Sequence, residues 1–171
     1  MASTRASGTT TIRYGTIAHN VLALEVVTGL GEVIRVGTRA RKSSAGYDLV
    51  RLLTGAEGTL GVITEITLRL HPQPEATASA VCAFPALAGA VQAVTEIIQS
   101  GSPVARIEFL DELQIRACNR HSSLALAERP TLFIEFHGTR SAVEEQLALA
   151  RGVVESHGAS HFQTATDAAQ R

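Results

Sequence analysis

The chain has 171 residues, 45% hydrophobic and 18% charged, which suits one ordinary domain or two small ones with packed cores and is too apolar for general disorder. Its 15 basic residues are scattered and the net charge is −1, so the concentrated positive surface that binds a phosphate backbone is absent and no nucleic-acid partner is expected. No apolar run reaches the roughly 18–20 residues of a bilayer span, and Met1 to Arg5 has no signal-type apolar stretch behind it, so no membrane span is expected.

The small polar run from Ser3 to Thr10 opens the chain, and its composition favours a loose terminal tail. From Asn20 to Val36, two apolar runs meet at Gly29-Leu30-Gly31, the pattern of a hairpin. Asp48 is placed to cap a short helix with Leu49, Leu52 and Leu53 on one face, and Gly55 suits a left-handed stop. After the glycine-punctuated loop Gly55 to Gly61, residues Val62 to Leu70 alternate, with Ile66, Leu68 and Leu70 on one side of a half-buried strand. Pro72 and Pro74 end it and mark the best boundary between domains, which we set at 1–74 and 75–171.

The second part changes period. Ser79 to Phe84 reads as a strand, and Leu87, Ala90, Val91, Val94, Ile97 and Ile98 then recur at helical spacing, with Pro85 suited to the first turn. That helix stops near Gly101-Ser102-Pro103. A strand over Val104 to Phe109, a short helix over Asp111 to Cys118 and a strand over Leu132 to Phe136 follow. Ser141 to Glu144 has the spacing of a capping box, for a helix burying Val143, Leu147, Ala150 and Val154 and stopped by Gly158. A last strand around Ser160 to Phe162 closes an α+β unit of ferredoxin-like β-α-β-β-α-β type, with one extra helix before its third strand. The tail from Gln163 to Arg171 has no periodicity to bury.

Few residues suggest chemistry by pattern alone. Glycines in Gly55 to Gly61 let backbone N–H groups approach an anion, yet the loop lacks the Lys and Ser/Thr of a Walker loop and precedes a strand where a dinucleotide fingerprint precedes a helix. A structural turn and a cofactor loop fit it equally. Gly29-Leu30-Gly31 fails as a fingerprint because Ile34 holds the third glycine position. Cys82 and Cys118 lack CxxC spacing and read as small buried hydrophobes. His157 and His161 have zinc-pair spacing, but Gly158 between them ends the helix. His137 reads as a satisfied strand histidine, and Glu108 with Asp111 as a strand end and a helix cap rather than an acid–base pair.

Several motifs, taken in order, carry more. Ser-Thr-Arg-Ala-Ser-Gly-Thr from Ser3, Arg-Tyr-Gly-Thr from Arg13, Arg-Lys-Ser-Ser-Ala-Gly-Tyr-Asp-Leu from Arg41 and Gly-Ala-Glu-Gly-Thr-Leu-Gly-Val-Ile-Thr-Glu from Gly55 resemble the second half of the PCMH-type FAD-binding domain of vanillyl-alcohol-oxidase type flavoproteins. Cys-Ala-Phe-Pro from Cys82, Val-Ala-Arg-Ile-Glu-Phe-Leu-Asp from Val104, Ala-Cys-Asn-Arg from Ala117 and Phe-Ile-Glu-Phe-His-Gly from Phe133 resemble the cytochrome-linked D-lactate dehydrogenases, followed into the FAD-linked oxidase C-terminal domain.

The resemblance implies oxidation of a small D-2-hydroxy acid, D-lactate before its sister substrates glycolate and D-2-hydroxyglutarate, with a cytochrome or quinone as electron acceptor. The rival reading is a non-catalytic ferredoxin-like module that binds a ligand or partner. The resemblance also implies FAD contacts at Thr4, Arg5, Ala6, Ser7, Glu57, Gly58, Thr59, Leu60, Gly61, Val62 and Ile63, with no catalytic residue in this chain. It does not separate flavin and surface roles for Arg5, or flavin and turn roles for Glu57. The family's first glycine-rich FAD loop is expected upstream of Met1, making Met1 internal or an artificial start. Its histidine motif, which supplies a proton acceptor and ligands for a divalent metal, is expected downstream of Arg171. The implied location is cytoplasmic or peripheral to the inner membrane, and mitochondrial in a eukaryote.

Overall fold

The computed structural model describes residues 1–40 and 42–166, so Arg41 of the third motif and the end of the tail from Asp167 lie outside the described residues. The chain divides into two compact units, Met1–Pro72 and Gln73–Arg171.

The first unit contains two single-turn helices, α1 (Thr11–Tyr14) and α2 (Ile17–Asn20), then strands β1 (Val21–Val27) and β2 (Val33–Gly37), helix α3 (Leu49–Leu53) and strand β3 (Val62–Leu68). The hairpin forms as its pattern predicts, with β1 and β2 antiparallel and β3 added antiparallel on the other side of β1. Leu24 and Val26 of β1 are buried with Ala2, Val21, Val50 and Leu53, and Ile34, Val36 and Ile63 pack against them. On the opposite face Glu25 ties both flanking strands together. Its carboxylate accepts from Arg35 Nε (2.9 Å) on β2 and from Thr64 Oγ1 (2.9 Å) on β3, and the Arg35 hydrogen bond leads the causes that lower its pKa.

Helix α3 and strand β3 differ from the sequence pattern. Asp48 does cap α3, accepting from Arg51 N–H at 3.0 Å, but the helix buries Val50 and Leu53 while Leu49 and Leu52 face solvent. A five-residue helix offers only one i, i+3 pair to the sheet, and that pair is the one filled. In β3 the alternation is broken by a bulge at Thr64, which puts Ile63 opposite Val26 and Ile66 opposite Leu24. The strand stops at Leu68, and Ile66, Leu68 and Leu70 are exposed because β3 is an edge strand among the described residues.

The second unit runs β4 (Ala76–Ala83), α4 (Leu87–Gln99), β5 (Arg106–Leu110), α5 (Glu112–Ser122), β6 (Thr131–Gly138), α6 (Arg140–Ser156) and β7 (Ser160–Ala165). The sheet order is β5-β6-β4-β7, with every pair antiparallel, so the ferredoxin-like α+β reading holds with α5 as the extra helix. One sheet face packs on α4 and α6. Its small residues Ala78, Ala80 and Cys82 lie among Ala90, Ala93 and Ala150, and Phe84, Ile97, Leu132, Ile134 and Phe136 fill the remaining space. Backbone approach is close enough that a Cβ on Gly89 of α4 would stand 2.6 Å from the His157 carbonyl oxygen.

Details differ from the sequence pattern. Helix α4 turns Ala90, Ala93 and Ile97 inward and leaves Leu87, Val91 and Ile98 exposed, and Pro85 precedes the N-cap Ala86 rather than entering the first turn. Against an alanine-lined sheet, the small face seats closest. Asp111 caps α5 through a capping box with Gln114, and the helix continues past Cys118 to Ser122. The N-cap of α6 is Thr139, whose Oγ1 accepts from Ala142 N–H (3.3 Å), so no capping box starts at Ser141, and Gln146 is more buried than Leu147. Gln163 to Ala165 belong to β7 instead of a tail.

Candidate cofactor-binding site

The run from Ser3 is not a loose tail. Arg5 N–H donates to the Ala2 carbonyl and Ala6 N–H to that of Met1, both at 3.1 Å, folding the segment into turns. Two bonds then join it to the glycine loop: Gly55 N–H donates to the Ala2 carbonyl (3.0 Å) and Glu57 N–H to the Ser3 carbonyl (3.0 Å). The two stretches singled out from sequence thus adjoin. Each holds a non-glycine residue in the left-handed region, Arg5 at φ 50° and Glu57 at φ 49°. Such a conformation costs about 1–2 kcal/mol and persists only where neighbours fix it, as the paired inter-loop bonds do.

The glycines of the loop have different reasons. Gly55 (φ 95°) lies under Arg5, whose Cβ would be 2.9 Å from an added methyl. At Gly61 (φ 152°) a Cβ would meet the Val27 carbonyl oxygen at 2.5 Å and Val26 Cγ1 at 2.7 Å, so strand β1 itself requires glycine there. Gly58 (φ 82°) has nothing within 4 Å of an added Cβ, leaving its backbone open to a ligand.

Around Gly58 the surface is polar and exposed. Thr59 Oγ1 donates to the Ala56 carbonyl (2.6 Å) and Thr4 Oγ1 to the Met1 carbonyl (3.2 Å), which leaves oxygen lone pairs on both hydroxyls. Ser7, Glu57 and Leu60 are exposed, Ala6 is half-buried, and Val62 and Ile63 open the edge strand β3. Thr54, at the base of the loop, is buried with its Oγ1 unpartnered. Open backbone at Gly58 and a cation at Arg5 fit one side of an FAD diphosphate. A separate cleft of about 440 Å³ is lined by Gly37, Ser43, Gly46, Tyr47 and Arg69 among others, and by none of these residues.

Elsewhere, side chains settle into structural roles. Cys82 is fully buried and its thiol is pushed up to about 12 by that burial, while Cys118 is half-buried. His157 Nε2 lies 2.7 Å from Glu96 Oε2 at the end of α6, and His161 is on β7, so they do not share a helix. Among the described residues no group of three or more His, Cys, Asp and Glu is placed to hold a metal ion, and no helix is long and apolar enough to cross a membrane.

One polar array escaped the sequence reading. Glu135 accepts from Arg106 Nη2 (2.6 Å) and lies 2.7 Å from His137 Nε2, on the sheet face away from α4 and α6. The i, i+2 spacing of Glu135 and His137 signalled a shared face, but only the β5–β6 register brings Arg106 to it.

Comparison with known proteins follows the same lines. The chain is 49% identical over 170 residues to a probable mitochondrial D-lactate dehydrogenase of Danio rerio, covering 98% of this chain and 34% of that protein. It is 47% identical over 167 residues to the mitochondrial D-lactate dehydrogenase [cytochrome] of Arabidopsis thaliana, covering 98% and 30%. The chain therefore spans about a third of the length of these relatives. In fold it resembles an alkyldihydroxyacetonephosphate synthase, with a TM-score of 0.77 at 22% identity over 99% of this chain and 34% of the other. Residues 73–171, more than half of the chain and the same residues as its second unit, match the C-terminal domain of FAD linked oxidases, and the chain belongs to that FAD-linked family.

Proposed function

We propose that this chain is part of an FAD-dependent D-2-hydroxy-acid dehydrogenase that oxidises D-lactate to pyruvate and passes the electrons to a cytochrome or quinone. In this reading residues 1–74 are the C-terminal part of a PCMH-type FAD-binding domain, and residues 75–171 begin the substrate domain. The observation that carries it is the joining of the Ser3 and Gly55 stretches through the Ala2 and Ser3 carbonyls, with open backbone at Gly58. The names of the relatives support the substrate and acceptor.

Bound FAD would supply acceptance of a hydride from the substrate's α-carbon. The chain's own groups hold and orient. Gly58 lets backbone N–H groups reach the diphosphate, Arg5 offsets its charge, the Ser7 hydroxyl donates to cofactor oxygens, and Thr4 and Thr59, whose protons go to the Met1 and Ala56 carbonyls, accept from hydroxyls of the cofactor. The Val62–Ile63 edge of β3 offers main-chain groups to the adenine rim, with Ala6, Glu57, Leu60 and Gly61 shaping the loops. No residue of this chain is assigned as acceptor of the substrate's hydroxyl proton. The relatives' names favour a mitochondrial location in a eukaryote.

The test uses a longer protein that contains this segment and is purified with its flavin. Gly58→Val should lower flavin content measured by visible absorbance, and dye reduction should favour D-lactate over glycolate and D-2-hydroxyglutarate. Full flavin content in a folded Gly58→Val protein would remove the loop from the site, and preference for another acid would replace D-lactate.

A further inference from the structure

The sheet of the second unit has a face that α4 and α6 do not cover, and one end of it is hollow. A cavity of about 220 Å³ has Val81 and Ala83 of β4 as its floor, Thr131 of β6 and Gln163 of β7 beside them, and the loop Ala125 to Ala127 as a wall. The remaining wall is His161, in an unusual setting. Between the pairs Val81–Gln163 and Ala83–Ser160, two residues of β7 face the single residue Cys82, a bulge that sends Phe162 to the core. His161 absorbs the extra residue at φ 57°, in the left-handed region.

A left-handed side-chain-bearing residue within a strand is uncommon, and glycine would carry the bend with less strain. Among the described residues His161 has no hydrogen bond or ion pair that explains its presence. Its ring borders the cavity. We propose that this cavity is a binding site for a short aliphatic carboxylate, with His161 as the residue that recognises it. The imidazole and the Gln163 carboxamide supply N–H donors to the carboxylate oxygens. Val81, Ala83 and Ala127 take the alkyl part. Thr131 Oγ1, whose proton goes to the Arg129 carbonyl (2.9 Å), keeps an acceptor for a ligand hydroxyl. This site stands apart from the flavin reading, and its test needs no flavin.

The full chain, labelled with ¹⁵N, is titrated with propionate, with D-lactate and with 1-propanol as the uncharged control. Saturable shifts confined to His161, Gln163, Thr131 and the Ala125–Ala127 loop are expected for both acids and not for the alcohol. His161→Gly keeps the left-handed backbone while removing the ring, and should weaken propionate binding about tenfold or more. Ala127→Leu, on an exposed loop, should fill the cavity and abolish binding. Shifts that do not saturate, equal binding of 1-propanol, or unchanged affinity in folded His161→Gly would each overturn the proposal.

Discussion

Gly58 and Gly61 look alike in sequence and are different in cause. A side chain at Gly61 collides with the carbonyl of Val27 and the side chain of Val26, whereas one at Gly58 meets only the conformational penalty of φ 82°. Gly61→Val should therefore destabilise the first unit by more than about 2 kcal/mol, and Gly58→Ala by about 1 kcal/mol. Urea midpoints of the two variants check the order. Equal losses would mean that contact with β1 does not set the glycine at 61. Cys82 gives a second residue-scale test, because its thiol sits at about 12 against an ordinary 9.0. Its raised value means that the buried neutral thiol stabilises the fold fully below about pH 9, and that this contribution is lost between about pH 9 and about pH 12. Stability should fall more steeply over that range in the native chain than in Cys82→Ala, and parallel curves would remove the thiol as the cause.

Among the elements, α6 shows how a cap is chosen. Ser141 has the right spacing to Glu144, yet Thr139 has the extended backbone of an N-cap and accepts from Ala142 N–H, which puts Ser141 inside the first turn. Thr139→Ala should cost about 1 kcal/mol and Ser141→Ala less than about 0.5 kcal/mol. Thermal unfolding of both variants decides, and the reverse order would restore the cap to Ser141. Helix α4 teaches a related lesson about faces. Leu87, Val91 and Ile98 make the more apolar stripe, but the sheet beneath offers Ala78 and Ala80, and the stripe of Ala90, Ala93 and Ile97 packs there instead.

For the molecule as a whole, the two units differ in how much apolar surface they cover. Tyr47, Leu30, Leu70, Val33 and Val62 of the first unit are all more than half exposed, and β2 and β3 are both edge strands among its described residues. The proposed flavin surface is equally open, with Thr4, Arg5, Ser7 and Glu57 to Leu60 exposed. A half-open site leaves diphosphate charge and ring edges in water, so the 171-residue chain alone should bind FAD weakly and not oxidise D-lactate. Calorimetric titration with FAD and a dye-reduction assay measure the two parts. Micromolar or tighter binding would show that these contacts suffice, and turnover would place the proton acceptor within this chain.

By itself the sequence determined the order and type of the elements from β1 onward, and it missed the single-turn helices α1 and α2. Strand alternation at Leu132, Ile134 and Phe136, the glycine break at Gly29 to Gly31 and the Asp48 cap are local signals, set by backbone sterics and periodicity within a few residues. Through a family resemblance the sequence also marked Thr4 to Ser7 and Glu57 to Ile63 as flavin contacts. Only the tertiary structure decided what those stretches touch, that Gly61 answers to Val27, that a bulge at Thr64 sets Ile63 opposite Val26 and Ile66 opposite Leu24, and that Arg106 reaches Glu135. Each of these depends on register or on contacts between residues far apart in the chain, which a local pattern does not encode.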